Sequence, residues 1–313
     1  MAHVTFVAKT RALQPFDHFI AVDWSSRAKP SPRKPTKDAI WVGQCSADGR
    51  TTVKYFRTRE DCCKYLEKRL LGLQKKGKRV FVGWDFCFGY PKGLAKALRL
   101  PKQNAWLGIW LRLRKLIRDG KDNANNRFLV AAELNQKISL GSGPFWGVTS
   151  GQSGIFLGPK KDFTYPVVNK RAMLRERRLV EKRIPKMQPA WKLAYTGSVG
   201  SQTLLGIPRL LDLSVAHEKL SAVSHVWPFM TDFERDLPTT GACIIHAEIY
   251  PSILPLTGKD KIPDRAQVKV YAKWLAEQQA AGKLDKLLRG PADLSAKQRK
   301  RVLRHEGWVF GAK

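Results

Sequence analysis

Three short apolar runs in this chain end at an acid. Phe19-Ile20-Ala21-Val22 ends in Asp23, Arg79-Val80-Phe81-Val82-Gly83-Trp84 ends in Asp85, and the run over 243–249 carries Glu248 just before Tyr250-Pro251. Unbroken apolar runs of this length suit strands covered on both faces, as parallel strands in α/β proteins are. If the three strands are parallel neighbours, the acids emerge together at the carboxyl edge of the sheet, where open α/β sheets bind ligands. Gathered carboxylates repel until a cation neutralises them, and an oxygen-only donor set selects Mg²⁺ or Mn²⁺ over zinc. Asp264, after Pro263 at the start of a helical stretch, is a candidate fourth ligand. Two such ions could activate a water and stabilise the leaving oxygen in phosphodiester cleavage. The expected metal set is therefore Asp23, Asp85, Glu248 and Asp264. Of these, Asp23, Asp85 and Glu248 are the candidate catalytic residues, with Glu248 as ligand or water-orienting base. Each acid also has a plain reading: an Asp after a strand caps turns and helices, and an N-cap explains Asp264 as well as a ligand does.

The elements that must carry these acids are clearest on the N-terminal side. A basic loop over 27–37 follows Asp23, and Pro30, Pro32 and Pro35 exclude helix there. Runs over 39–45 and 51–57, joined through Asp48-Gly49, predict an antiparallel hairpin. Thr58 suits an N-cap, Glu60 and Asp61 suit the positive end of a helix, and Cys62, Leu66, Leu70 and Leu73 share one face. Strand, hairpin, helix and strand in this order make a mixed sheet, with the strand ending at Asp85 parallel to one already in place.

Beyond residue 92 the pattern blurs. The stretch 104–119 reads as a helix, with Trp106 and Trp110 in the core rather than serving as base-stacking platforms. Glycine-rich 139–158 reads as a long loop, and 170–186 as a strongly basic helix. Gly197-Ser198-Val199-Gly200 could offer N–H groups to a phosphate, but it lacks the lysine of a P-loop and reads as a turn before a helix. Further helices are expected over 264–282 and 295–305. The fold class is α/β: a single domain over 19–313, with 92–240 as a large helical and loop insertion and 1–18 as an N-terminal extension.

Lys and Arg number 57 against 26 Asp and Glu, a formal charge of +31 over 313 residues. Such self-repulsion is best explained by a polyanionic partner, and nucleic acid, DNA or RNA, is the commonest. Arg27, Lys29, Arg33 and Lys34 lie in the loop after Asp23, placed to guide a phosphate backbone. Arg171, Arg175, Arg178 and Lys182 recur at helical spacing and would form one cationic stripe. The five cysteines are odd in number, form no C-x-x-C pair and sit mostly in apolar stretches, which reads as buried thiols in a reducing compartment. Cys87, without a histidine partner, reads as buried rather than nucleophilic. The six histidines lack zinc spacing. No apolar run is long enough to span a membrane, so the expectation is a soluble, cytoplasmic protein with no membrane partner. The oligomeric state is not legible.

Val22-Asp23-Trp24-Ser25, Gly83-Trp84-Asp85-Phe86-Cys87-Phe88-Gly89-Tyr90-Pro91 and Ala247-Glu248-Ile249-Tyr250-Pro251-Ser252 resemble the signature segments of the predicted RNase H-like nucleases of the domain-of-unknown-function 429 type. Gly197-Ser198-Val199-Gly200-Ser201-Gln202 and the ending Glu306-Gly307-Trp308 are similar to further segments of some bacterial members. The likeness runs from about Phe19 onward and is poor over 92–190. It implies an RNase H-like sheet with acids on the first strand, the fourth strand and later elements grouped around metal, hence a nuclease. Asp264-Arg265-Ala266-Gln267 departs from a strongly acidic last helix. Two other functions stay open: a non-catalytic nucleic-acid-binding or ribonucleoprotein component, and chemistry on a small phosphorylated metabolite. The second arises because some relatives carry labels for pterin or cobalamin cofactor synthesis.

Overall fold

The computed structural model describes residues 13–256 and 260–313. Its main strands are β1 (His18–Asp23), β2 (Ile40–Ser46), β3 (Thr51–Phe56) and β4 (Arg79–Trp84). A separate two-stranded ladder, β5 (Val167–Val168) and β6 (Met173–Leu174), comes next in the chain, before β7 (Ser224–Trp227) and β8 (Cys243–Glu248). The six-stranded sheet runs in the order β3-β2-β1-β4-β8-β7. β2 is antiparallel to β1 and β3, as the Asp48-Gly49 turn demands, whereas β1, β4, β8 and β7 are parallel. The three acid-bearing strands are thus direct neighbours.

Strand alternation splits the core into two layers. Ile20, Val22, Val80, Val82, Trp84 and Ile244 face one layer. It is filled by α1 (Arg59–Lys75), α2 (Leu94–Ala97), α3 (Ala105–Leu116), α4 (Arg127–Ser139) and, beyond the short α5 (Leu179–Arg183), α6 (Gly200–Leu213). Phe19, Ala21, Phe81, Cys243, Ile245 and Ala247 face the other. That side is closed by α7 (Pro263–Ala280), α8 (Leu284–Leu288), a turn of π-helix after α9 (Ala296–Arg301), and Trp308-Val309-Phe310. Among the described residues no helix is long and apolar enough to cross a membrane.

Local signals account for several elements. Thr58 Oγ1 accepts from Asp61 N at 3.1 Å and starts α1, whose Cys62, Leu66, Leu70 and Leu73 are buried. Trp106 and Trp110 are core residues: they meet edge to face, and Trp106 stacks on Phe229 with ring centroids 4.7 Å apart. α7 lies directly on the sheet. A Cβ at Gly43 of β2 would stand 2.3 Å from the Val268 carbonyl oxygen, so only glycine lets the helix seat there.

The stretch 170–186 is not one helix. Met173-Leu174 pairs with Val167-Val168, and α5 begins only after Arg178. Leu174 and Val180 are drawn into the core, which breaks the cationic spacing into a hairpin, an extended link and one short helix. The stretch 92–240 supplies helix and loop, and also β7, the sheet's outer strand. The N-terminal extension lies outside the described residues up to position 12. From there Phe16 packs into the second layer, its main chain held by the Gln279 amide.

Candidate active site at the carboxyl edge of the sheet

Asp23 and Asp85 leave adjacent parallel strands at the same height. Val22 is registered with Trp84, and the Asp85 N–H donates to the Val22 carbonyl at 2.9 Å. By strand parity both acids continue the layer of Phe19, Ala21 and Phe81, the side on which α7 lies. Each is half-buried, and among the described residues neither carboxyl has a hydrogen-bond or ion-pair partner. Burial first, then the neighbouring acids, raises both. Asp85 is pushed up to about 7, with Glu248 and Asp264 adding to the shift. Asp23 goes well above the carboxylate range, with Asp85, Asp264 and Asp38 adding.

Asp264 sits in the first turn of α7, after Ile262 and Pro263. It is therefore not the N-cap. Its Oδ2 accepts from the Asp38 N–H at 2.6 Å, which ties α7 to the end of the 27–37 loop. Burial raises its carboxyl, and the Asp38 N–H lowers it in part. In a chain where cations outnumber acids about two to one, Asp23, Asp38, Asp85 and Asp264 influence one another's charge and make no ion pair among the described residues. The acids Asp17, Glu60, Asp119, Asp232, Glu248 and Glu306 are, by contrast, all matched to Lys or Arg.

Glu248 does not join them. Its register partner is Trp84, not Asp85, so parity turns its side chain to the opposite layer. There Arg178 Nη1 and Nη2 donate to its two oxygens, and the Phe88 N–H donates to Oε2 at 2.9 Å. Three hydrogen bonds engage its two oxygens, so Glu248, expected as a metal ligand or base, is placed in an ion pair with Arg178 and not beside the bare carboxyls of Asp23 and Asp85. Arg178 is fully buried, so it is not a surface phosphate contact. It also donates to Glu181 Oε1 and to the Glu306 carbonyl. Cys87 stands beside it, and burial pushes its thiol well up, as befits an inert core cysteine. Among the described residues, no three His, Cys, Asp or Glu side chains are grouped closely enough to hold a metal ion.

Of the other candidate contacts, Arg27, Lys29, Arg33 and Lys34 are exposed on the loop after Asp23, whereas Arg171, Arg175 and Lys182 are exposed but scattered over three elements. The loop is not free. Buried Arg59 donates to the Ser25 and Arg27 carbonyls, Asn123 to the Lys29 carbonyl and Arg57 to the Ser31 carbonyl. Asp119 holds Arg59 with both carboxyl oxygens and also takes Arg209.

Two hollows open at this edge. A cleft of about 680 Å³ runs past Asp23, Arg27, Lys37, Arg127, Tyr195 and Asp264. A smaller one of about 210 Å³ is lined by Asp85, Lys186, Glu248 and Tyr250. Gly197, Ser198 and Gln202 border both. Asp38, Arg127 and Tyr195 had no signal in the sequence beyond their types, because non-local packing brings each to the edge. No family model matches the chain, and no curated protein or solved structure is significantly similar to it.

Proposed function

We propose that the protein is a divalent-cation-dependent phosphodiesterase acting on nucleic acid. The observation that carries this reading is the pair of half-buried, unpartnered carboxyls of Asp23 and Asp85 on neighbouring strand ends, with Asp264 close by. An apolar or hydrogen-bonded pair would cost far less to fold, so a site that leaves such groups bare fits a hard cation. Mg²⁺ is usually held by one or two carboxylates plus substrate phosphates and waters, so the absence of a three-acid cage among the described residues is compatible with it. Asp23 and Asp85 would be the ligands and Asp264 would complete the anionic wall.

A bound cation would supply the charge that an attacked phosphodiester needs as its bond to oxygen breaks. The chain's own residues would do the rest. Asp23 and Asp85, fixed by strand pairing, set where the scissile group must lie. Arg27, Lys37 and Arg127 line the cleft that holds Asp23 and Asp264 and would attract and hold the flanking phosphates. The strand order, with an antiparallel hairpin beside β1 and with β4 parallel to it, accords with the RNase H-like sheet that the motif resemblance implies. The charge of +31 favours a polymer over a small phosphorylated metabolite.

The test is a titration of Mg²⁺ and Mn²⁺ with labelled single- and double-stranded DNA and RNA, run beside the Asp23→Asn/Asp85→Asn double variant from the same purification. Cation-dependent cleavage by the wild type, and binding without cleavage by the variant, are expected. Salt-sensitive binding with no turnover under any cation would instead leave a non-catalytic nucleic-acid-binding protein.

A further inference from the structure

One stretch of the larger cleft is furnished for something other than a cation. Tyr195 stands on its rim, 55% exposed, with a backbone φ of +72°. A bulky residue in the left-handed region is a rare outlier, and such strain persists where surrounding structure or function insists on it. The ring is also held: its hydroxyl donates to the Val148 carbonyl at 2.9 Å. An exposed aromatic face that cannot turn away is a ready stacking surface.

Arg127 lines the same cleft and is half-buried. Its Nε donates to Ser201 Oγ at 3.0 Å and its Nη1 to Asn125 Oδ1 at 2.8 Å, which fixes the guanidinium against the first turn of α6. Among the described residues it has no carboxylate within ion-pair distance, and its guanidinium lies over the Phe128 ring, 4.2 Å from Cζ to centroid, so its charge is left to attract an anion in the cleft. Two buried polar atoms of residues lining the cleft also lack hydrogen-bond partners among the described residues. One is the indole N–H of Trp24, on a ring 1% exposed, and the other is Gln202 Oε1.

We propose that Tyr195 and Arg127 form a nucleotide subsite in this cleft: a base stacks on the Tyr195 ring while the adjoining phosphate meets the Arg127 guanidinium, whose Nη2 is not engaged by Ser201 or Asn125. A base stacked on protein is withdrawn from its own helix, so the substrate class is single-stranded nucleic acid. The inference rests on the nucleic-acid reading above but not on turnover.

The experiment is equilibrium binding of a labelled single strand and its duplex to the full chain in EDTA, over a series of salt concentrations. Tyr195→Asn removes the ring with a residue that tolerates positive φ, and Tyr195→Phe keeps the ring and loses only the hydroxyl. Tyr195→Asn is expected to weaken single-strand binding roughly tenfold, the scale of one lost stacked base, without changing the duplex or the salt slope. Tyr195→Phe should bind near the wild-type level. Arg127→Gln should lower the slope of log K against log salt by about 0.7, one phosphate contact on a single strand. Thermal melting confirms that each variant is folded. Single-strand binding unchanged in folded Tyr195→Asn, or lost equally with duplex, overturns the subsite. Because no cleavage is read, failure of the nuclease reading leaves this result standing, and cleavage by wild type with an indifferent Tyr195→Asn removes the subsite alone.

Discussion

Arg178 holds Glu248 in a fork, with Nη2 2.6 Å from Oε1 and Nη1 2.8 Å from Oε2, and neither side chain reaches solvent appreciably. A pair so placed has structural work to do. Removing the guanidinium would strand Glu248 and Glu181 together in the interior, a loss of about 3–5 kcal/mol. Arg178→Met should therefore melt far below wild type, or fail to accumulate as folded protein. Glu248→Gln keeps an acceptor for the Phe88 N–H and should leave cleavage on the wild-type scale. A loss of a hundred-fold or more, the minimum order for a general base, would restore Glu248 to the chemistry.

Asp85 and Asp23 make stability depend on pH in a defined direction. Their carboxyls are raised in the folded chain, Asp85 to about 7, so as pH rises the unfolded chain loses its protons first. Without divalent cations their contribution to the urea midpoint should be most favourable below about pH 4 and fall toward pH 7. Each carboxyl that is protonated only in the folded chain costs about 1.4 kcal/mol for every pH unit crossed. Asp85→Asn should flatten that fall and stabilise the neutral protein. A midpoint rising over the same interval in the wild type, and unaltered by Asp85→Asn, would contradict the arrangement.

Gly43→Ala places a methyl where the Val268 carbonyl already is, 2.3 Å away. Backbone cannot swing aside as a side chain does, so α7 must lift. A cost of at least about 1–3 kcal/mol is expected, measured by denaturant unfolding. Activity should fall with it, because Asp264 travels on that helix. The nearby exposed Gly49 serves as a control only for bulk, since its positive φ brings strain of its own.

Arg59 fastens the loop between β1 and β2 from beneath. Lysine cannot reproduce its fork onto Asp119 together with the Ser25 and Arg27 carbonyls. Arg59→Lys should expose the loop, and limited trypsin digestion should cut after Arg33 or Lys37 faster than in the wild type. Equal cutting rates would mean that Arg57 and Asn123 suffice to hold it.

The first four strands and α1 were legible because every level of signal agreed: apolar runs at β1 and β4, a glycine turn in the hairpin, and a capped amphipathic helix at Thr58. Asp23 and Asp85 were readable for the same reason, since a strand end is visible in composition. Glu248 was not, because Cys243–Glu248 is apolar on both faces and only register tells which way the last residue points. Arg178 was misread because cationic spacing looks the same whether a helix is exposed or its guanidinium is swallowed between the buried carboxylates of Glu181 and Glu248. α4 escaped notice since its buried face includes Asn135, satisfied by the carbonyls of Ser142, Phe145 and Phe156 from the following loop. β7 is only four residues long, too short for a pattern.

Gly197, Ser198 and Gln202 look onto both hollows at the sheet edge. Asp23 and Asp85, neighbours in the sheet, are thereby seen from two compartments divided by one thin partition. A visitor in either chamber meets Gly197, Ser198 and the start of α6 at Gln202, so the room available to it is set by this shared border as well as by the strands beneath.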